Sequence, residues 1–280
     1  MKTIILAAGY ATRLYPLTEN FPKPLLEIGK STILGRLLDD IDGIEGIDGH
    51  IIVTNGKFAP IFETWADDRE IAGQAGNDDG KLGNANRHDR PDKCHSQPDN
   101  RHARPDRASQ PVTVLSDGTF TNETRLGAVR DLILAIDTCN IDDDILVLAA
   151  DNILDFSLKG FVEAFKEKKT SMIMCHHEPE IYKLQRTGVI EVDEDMKVLQ
   201  MQEKPEKPVS HWAVPPFYIY RKEDLPLVRT AIENGCGFDA PGNLAHYLVD
   251  RTTIHAWPMP ASRFDIGSLD TYEQAKKRYA

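Results

Sequence analysis

Short apolar runs alternate with amphipathic segments along the first two thirds of the chain. Three runs are almost continuous in apolar, β-prone residues, as strands buried on both faces are: "KTIILAA" (2–8), "HIIVTN" (50–55) and "ILVLAAD" (145–151). Apolar residues spaced at i, i+3 and i+4 predict helices at 31–41, with a cap at Ser31, at 122–136 and at 157–169. This order predicts an α/β fold with a doubly wound, mostly parallel sheet. Ligands are then expected beyond the carboxyl ends of the strands.

The pattern changes after residue 185, where short strands replace the alternation of strand and helix. Two strands around an acidic turn are predicted within 187–205, and one further strand within 211–220. The last predicted helices lie at 223–234, 241–249 and 270–278. We interpret residues 1–280 as one domain, in which a β-rich lobe with C-terminal helices (186–280) extends the sheet of a first part (1–185).

Residues 73–111 fit neither pattern. They are rich in Gly, Asn, Asp, Arg, His and Pro, and "NRHDRPDK" at 86–93 returns as "NRHARPDR" at 100–107. Such a composition is typical of a low-complexity surface insertion that buries few apolar side chains. The histidines of this stretch and Cys94 raise the alternative of a metal-binding arm. Because nothing around them is predicted to order a site, we favour a disordered insertion.

Composition narrows the classes of partner. A net charge of -11 disfavours a nucleic-acid backbone or an anionic membrane as the main partner, whereas a small phosphorylated ligand needs only a few local cations. The 4 cysteines are far apart, which argues against a disulfide framework and fits a cytoplasmic protein. No apolar run approaches the ~18 residues of a membrane span, and we recognise no secretion signal.

The loop after the first strand, "LAAGYATRLYPLTENFPKPLL" (6–26), carries two cations among several prolines. Gly9 lets backbone N–H groups approach an anion closely. Arg13 can contact two phosphate oxygens at once, and the backbone of Lys23 is restricted by a proline on either side. The loop therefore predicts a binding site for a polyphosphate.

Two common phosphate-binding loops do not fit this segment. Ala11 occupies the position of the second glycine in G-x-G-x-x-G, so the dinucleotide fingerprint is absent. "GKST" (29–32) resembles the end of a Walker A loop, but the glycine required five residues before Gly29 is missing. We interpret 29–32 as a turn and a helix cap.

Four ordered motifs resemble those of the sugar-1-phosphate nucleotidyltransferases (NDP-sugar pyrophosphorylases), and in particular glucose-1-phosphate thymidylyltransferase-like enzymes. The loop at 6–26 is close to the family form L-[AG]-G-x-G-T-R-L-x-P-L-T followed by P-K-P. The other three are "LVLAADNILDFSL" (146–158), "TGVIEVDEDMKVLQMQEKPEKP" (187–208) and "RFDIGSLDTYEQA" (263–275). The resemblance covers the chain apart from 73–111.

The resemblance implies a Rossmann-like nucleotidyltransferase fold, with a nucleotide-binding part at 1–185 and a sugar-binding lobe within 186–280. The implied reaction is attack of a sugar-1-phosphate oxygen on the α-phosphorus of an NTP, which releases pyrophosphate. Such chemistry needs positioning and charge neutralisation more than a covalent nucleophile.

The resemblance also implies the role of each site residue. The nucleotide would contact Ala8, Gly9, Arg13, Lys23, Asn122 and Gly127. Arg13 and Lys23 would be catalytic, because they stabilise the departing phosphates and the reacting phosphate. The sugar phosphate would contact Gly188, Glu203 and Lys204, and Asp151 and Asp265 would hold the Mg²⁺ cofactor.

Each assignment has a structural alternative. The alternatives are a helix cap for Asp151, a turn former for Asp265, a surface ion pair for Glu203 and Lys204, and a plain N-cap for Asn122, which is nearly as well supported as contact with the base. His176 and His177 point to opposite faces of a predicted strand, so they do not easily share one ion. We interpret the two histidines as structural.

Departures from the family pattern leave the acceptor open. Ala11 and Ala150 replace family glycines, and Pro215-Pro216 lies near the expected sugar pocket. A rival function is a cytidylyltransferase for phosphocholine, which needs an aromatic cage for the quaternary ammonium. Candidates for such a cage are Trp212, Phe217, Tyr218 and Tyr220.

A second rival is a non-catalytic nucleotide-sugar regulator. It predicts damage at the lysine or metal positions, and Lys23, Asp151, Lys204 and Asp265 are all intact. We therefore favour an enzyme whose partners are an NTP and a sugar-1-phosphate, either as a monomer or as a homo-oligomer.

Overall fold

The computed structural model of the protein describes residues 1–78 and 109–279. The strands are β1 (Lys2–Leu6), β2 (Glu27–Ile28), β3 (Ser31–Thr32), β4 (His50–Thr54), β5 (Val112–Ser116), β6 (Ile145–Ala149), β7 (Asn152–Leu154), β8 (Ser171–His177), β9 (Gly188–Val192), β10 (Val198–Glu203), β11 (Trp212–Val214), β12 (Phe217–Tyr220), β13 (Ile254–Pro258) and β14 (Arg263–Asp265). The helices are α1 (Ile33–Ile41), α2 (Ala59–Asp78), α3 (Ala128–Thr138), α4 (Lys159–Lys168), α5 (Ile181–Leu184), α6 (Leu225–Arg229), α7 (Pro241–Val249) and α8 (Leu269–Tyr279).

In the described part of the chain, one ten-stranded sheet has the order β10-β9-β11-β8-β12-β6-β1-β4-β5, with β13 paired to β8. Strands β6, β1, β4 and β5 are parallel to one another, and β13 is parallel to β8. Strand β12 is antiparallel to β6 on one side and to β8 on the other, and beyond β8 the strands β11, β9 and β10 continue the sheet in antiparallel pairs. The predicted α/β class is confirmed, and the strands of the predicted lobe continue the same sheet.

Helices cover both faces of the sheet. Alternate residues of β1 enter two different cores, with Ile4 packed on the side of α3, α6 and α7 and Ile5 on the side of α1 and α4. Burial on both faces explains why these strands are almost continuous in apolar residues. None of the described helices is long enough and apolar enough to cross a membrane.

Three predicted boundaries were wrong for local reasons. The helix predicted at 122–136 begins only at Ala128, because Gly127 has φ 94, outside the helical region. The single strand predicted at 211–220 is two strands, since Pro215 and Pro216 interrupt it and proline offers no N–H to a ladder. The first helix is capped by Thr32, whose side chain accepts a hydrogen bond from the Gly35 N–H, and not by Ser31.

Residues at both ends of the predicted insertion are ordered parts of the described structure. Residues 73–78 belong to helix α2, and Gln110 donates its N–H to Asp42 Oδ1 at 3.1 Å. The other oxygen of Asp42 accepts from Arg69 Nη2 on α2 at 2.7 Å, so one carboxylate joins both flanks of the insertion. The predicted disorder and the histidine–cysteine arm otherwise fall on residues 79–108, outside the described residues.

Candidate active site

The loop after β1 is held in place by hydrogen bonds from other parts of the protein. Asn55 donates to the Ala8 carbonyl at 3.1 Å, and Thr18 donates to the Ala11 carbonyl at 2.8 Å. Ala11 has φ 47 and ψ 42, the left-handed conformation that glycine adopts at less cost, so the departure from the family glycine keeps the backbone shape. An ideal Cβ at Gly9 would meet nothing within 4 Å. Open space therefore lies beside Gly9, where a ligand was predicted.

The two cations of this loop differ in their contacts. Arg13 is exposed and makes no ion pair with any described residue. Lys23 lies in a 3-10 turn, Lys23–Leu25, and its side chain is only 14% exposed. Its Nζ donates to Asp151 Oδ2 at 2.8 Å and to the Ile266 carbonyl at 3.0 Å. Lys23 thus connects the loop to both predicted metal positions.

A short antiparallel ribbon makes the two predicted metal ligands neighbours. Asp151 follows β6, and Asp265 ends β14, where it pairs in register with Asn152 of β7. The Ile266 N–H donates to the Asp151 carbonyl at 3.1 Å, and Asn152 Nδ2 donates to Asp151 Oδ1 at 2.7 Å. The helix-cap alternative for Asp151 is wrong, since α4 has Leu158 as its N-cap.

The acids repel each other. The pKa of Asp265 is raised first by the loss of surrounding water and then by the negative charge of Asp151, although Arg263, Lys23 and Arg13 partly offset this. The Asp265 side chain opens into a cleft, so solvent still reaches it. Two repelling carboxylates beside a lysine fit a small hard divalent cation, and Mg²⁺ in particular is commonly held by one or two carboxylates together with substrate phosphates. Among the described residues no group of three or more acids, histidines or cysteines competes with this pair as a metal site.

A cleft of about 650 Å³ brings five of the predicted site residues together. These are Asp151, Asp265, Gly188, Glu203 and Lys204. Lys23 reaches the same cleft through its contact with Asp151. The remaining predicted residues, Ala8, Gly9, Arg13, Asn122 and Gly127, do not line it.

Glu203 is fixed at the floor of this cleft. It pairs in register with Gly188 on the neighbouring strand, and its side chain is 15% exposed. Burial raises the pKa of its carboxyl, while Lys204 and His246 lower it. Lys204 is more exposed, and its Nζ lies 3.9 Å from Glu203 Oε1. The alternative of a surface ion pair is met in part, because the two groups form an ion pair but only Lys204 is at the surface.

The region predicted to contact the base differs in detail from the prediction. Asn122 lies in a separate 3-10 turn, so the N-cap alternative for Asn122 is wrong. The glycine at 127 is required by the protein itself, since an ideal Cβ there would lie 2.6 Å from the Phe238 carbonyl oxygen. Contact of Asn122 and Gly127 with a nucleotide remains a prediction.

The aromatic residues proposed for a choline cage do not converge. Of the four residues proposed for the cage, only Tyr218 lines the cleft. Phe217 packs in the core on one face of the sheet, Tyr220 packs in the core on the other, and Trp212 lies edge-on to His177. His176 lines the cleft while His177 stacks on His211, so the two histidines do lie on opposite faces.

Sequence reasoning missed a buried acid on α3. Asp131 is 4% exposed, and its Oδ1 has no hydrogen-bond partner among the described residues. Burial, together with the smaller effect of the nearby charge of Asp117, raises the pKa of this carboxyl to about 7. The pKa of Asp117 is itself raised by burial. The amphipathic pattern of α3 gave no signal that an aspartate faces inward.

Asp131 is expected to make folding less favourable as the pH rises from about 4 to about 7. The folded protein keeps the proton across this interval while the unfolded chain releases it, so stability falls by about 4 kcal/mol. Asp131→Asn removes the charge at similar size. It should stabilise the protein at pH 8 and change stability little at pH 4. Urea unfolding at both values measures this, with Asp250→Asn at an exposed position as the control. Equal effects at both pH values would contradict the prediction.

A lysine from the loop after one parallel strand and a carboxylate at the carboxyl end of the next, with a second carboxylate brought beside them by a ribbon, are typical of enzymes that act on phosphorylated ligands. The chain belongs to the nucleotidyl transferase family, whose model matches residues 2–280. The predicted family and enzyme class are therefore confirmed.

Relatives and solved structures agree with this membership. The chain is 22% identical to the UTP–glucose-1-phosphate uridylyltransferase AglF of Haloferax volcanii over 99% of this chain and 96% of that protein. It is 27% identical to the UTP–glucose-1-phosphate uridylyltransferase of a Synechocystis species over 98% of this chain, but it spans only 62% of that protein. The structure of a UDP-glucose pyrophosphorylase with UDP-glucose has a TM-score of 0.74 at 18% identity, covering 99% of this chain and 97% of that one. The UTP-bound UGPase of Acinetobacter baumannii has a TM-score of 0.69 at 16% identity, with coverage of 99% and 92%.

Proposed function

We propose that this nucleotidyltransferase joins an NTP to a sugar-1-phosphate in a Mg²⁺-dependent reaction that yields an NDP-sugar and pyrophosphate. The observation that carries the proposal is the 2.8 Å contact between Lys23 Nζ and Asp151 Oδ2, which links the anion-binding loop to the cleft. Relatives named as glucose-1-phosphate uridylyl- and adenylyltransferases support this reaction.

On the nucleotide side, the chain supplies positive charge to the triphosphate. Arg13, with no ion pair among the described residues, is available to bind the departing β- and γ-phosphates. Lys23 is positioned to stabilise charge that develops on the α-phosphate. Asp151 and Asp265 would hold Mg²⁺, which neutralises phosphate charge when bound.

On the acceptor side, one residue of the cleft supplies positive charge and another supplies hydrogen-bond acceptors. Lys204 offers a cation to the sugar phosphate, which lets two anionic substrates approach each other. Glu203 is placed to accept hydrogen bonds from sugar hydroxyls, and burial strengthens such bonds. Gly188, opposite Glu203, leaves room for that carboxylate, since an ideal Cβ at Gly188 would lie 3.3 Å from Glu203 Oε2. The dispersed aromatic residues weigh against phosphocholine as the acceptor.

A pyrophosphate-release assay tests the proposal directly. dTTP, UTP, CTP, ATP and GTP are each combined with glucose-1-phosphate, other hexose-1-phosphates and phosphocholine, with and without Mg²⁺. We expect release with at least one hexose-1-phosphate, and only in the presence of the metal ion. Release with phosphocholine alone, or no release with any pair, would overturn the proposal.

Gly242→Ala is expected to weaken acceptor binding selectively. An ideal Cβ at Gly242 would lie 1.9 Å from Glu203 Oε2, so the carboxylate has to move. Loss of its hydrogen bonds to the sugar should raise KM for the sugar phosphate about tenfold and leave KM for the NTP unchanged. Gly160→Ala on α4, where the nearest neighbour is the Trp257 side chain at 3.2 Å, is the control. An equal rise in both KM values would show that the cleft is not divided in this way.

A further inference from the structure

Arg263 carries a positive charge in the cleft without an anionic partner. Its Nη1 donates to the neutral Asn152 Oδ1 at 2.5 Å. Its Nε is buried and has no hydrogen-bond partner, and no carboxylate oxygen lies within 4.0 Å of the guanidinium in the described part of the chain. A buried donor on a charged group is costly to leave unmatched, so a partner is expected from outside the chain.

The edge of this guanidinium that has no hydrogen-bond partner has the donor spacing that phosphate requires. Because Nη1 is engaged by Asn152, the remaining donors are those of Nε and Nη2, which lie side by side. This edge forms two parallel hydrogen bonds to two oxygens of one phosphate or carboxylate. A lysine at the same position would offer only a point charge.

The location of Arg263 assigns it to the acceptor rather than to the triphosphate. It lines the cleft together with Glu203 and Lys204. Of two other lining residues, His176 has a pKa that is lowered first by burial and then by the charge of Arg263, and Tyr218 has a pKa that burial raises, an effect that Arg263 partly offsets. His176 has a pKa of about 4, first because of burial, so at neutral pH it adds no charge. Four permanent cations line the cleft, namely Arg263, Lys204, Lys183 and Arg186, and Lys183 is paired with Glu178 and Glu180. Lys204 lies beside Glu203, and among the described residues Arg263 is the one of the four with a buried donor that lacks a partner.

Arg263 is also connected to the carboxylate pair. It precedes Asp265 by two residues on β14, so both side chains leave the same face of the ribbon. Asn152 accepts from Arg263 and donates to Asp151 Oδ1 at 2.7 Å. Arg263 is therefore linked to the carboxylate pair through Asn152 while it lines the same cleft as Glu203 and Lys204.

We infer that Arg263 binds the phosphate group of the acceptor and acts together with Lys204 as a two-cation clamp. The inference rests on the proposed function and extends it to the first residue of the motif at 263–275, to which the resemblance assigned no role. The clamp aligns one face of the acceptor phosphate and leaves another oxygen free to attack.

The test separates acceptor binding from structural support of Asp265. In steady-state assays of pyrophosphate release, Arg263→Gln should raise KM for glucose-1-phosphate at least tenfold and change KM for the NTP less than twofold. Arg263→Lys should recover part of the loss, and free guanidinium should partly restore Arg263→Ala. Arg278→Gln is the control, because Arg278 pairs with Asp155 outside the cleft. A fall in kcat with KM for glucose-1-phosphate unchanged would overturn the inference and assign Arg263 to the positioning of Asp265.

A binding experiment tests the inference independently of the proposed function. Inorganic phosphate is titrated into the unmodified protein, Arg263→Gln and Arg278→Gln by calorimetry without NTP. We expect Arg263→Gln alone to weaken phosphate binding at least tenfold. Equal binding by all three proteins would overturn the inference even if turnover is normal. Weakened binding together with no turnover by the unmodified protein would support the anion site and refute the proposed reaction.

Discussion

Asp151→Asn or Asp265→Asn is expected to lower turnover by about a thousandfold while the protein stays folded. Each change removes one of the two negative charges that fit a divalent cation, and neutralisation of phosphate charge is the main requirement of this chemistry. Asparagine keeps the size of the side chain, so the ribbon of β7 and β14 should be unaffected. Near-normal turnover in either variant would contradict the metal assignment.

Asp265→Asn is expected to affect stability in the opposite direction from turnover. The charge of Asp151 raises the pKa of Asp265, so Asp265→Asn relieves repulsion in the folded protein. We expect its melting temperature without metal to equal or exceed that of the unmodified protein, whereas the shift produced by Mg²⁺ with NTP should disappear. A melting series with and without these ligands measures both effects. Asp250→Asn, at an exposed position, should retain the shift.

The pH dependence of turnover follows from the same pair. The folded protein holds a proton on Asp265 at higher pH than an isolated aspartate would, and the protonated form binds a cation poorly. Turnover should therefore fall as the pH is lowered through this raised pKa, and more Mg²⁺ should move the fall to lower pH.

Lys23→Met is expected to lower kcat about a hundred- to thousandfold with a smaller effect on KM for the NTP. Lys23 provides a buried charge within contact distance of Asp151, and a donor that acts on the reacting group contributes mainly in the transition state. The unmodified protein and the variant are compared by single-turnover and steady-state pyrophosphate release.

Lys57→Met is the matched control for Lys23→Met. Lys57 is also near the loop, since it donates to the Glu19 carbonyl, but it makes no contact with the carboxylate pair. It should leave kcat within twofold. A rise in KM for the NTP with kcat unchanged in Lys23→Met would show that Lys23 contributes only to ground-state binding.

The parts of the site that could be predicted from the sequence are those that depend on local sequence patterns. Lys23 between two prolines and Asp151 at the end of a buried strand each carry a signal that does not depend on the rest of the chain. Their 2.8 Å contact could not be predicted, because it depends on a ribbon of two three-residue strands. Strands this short show no periodicity. The ribbon also brings Asp265 into place.

Other features were missed because their cause lies in tertiary packing. Gly242 looked like the first turn of a helix, yet its missing side chain is what makes room for Glu203. No local pattern singles out Arg263, and only its tertiary surroundings reveal the unmatched donor. Asp131 occupies a position where the helical pattern alone would place a polar residue in solvent.

The contacts of the Asp42 carboxylate indicate where the protein can accept an inserted domain. Arg69 on α2 and Gln110 before β5 are fixed to the same side chain, and α2 extends only about 12 Å beyond Glu70 before the described residues stop at Asp78. The chain thus passes the same carboxylate before and after residues 79–108, far in sequence from the ribbon of β7 and β14. A fluorescent reporter spliced in place of 79–108 would have both of its ends anchored there, and substrate turnover could then be followed in a labelled enzyme.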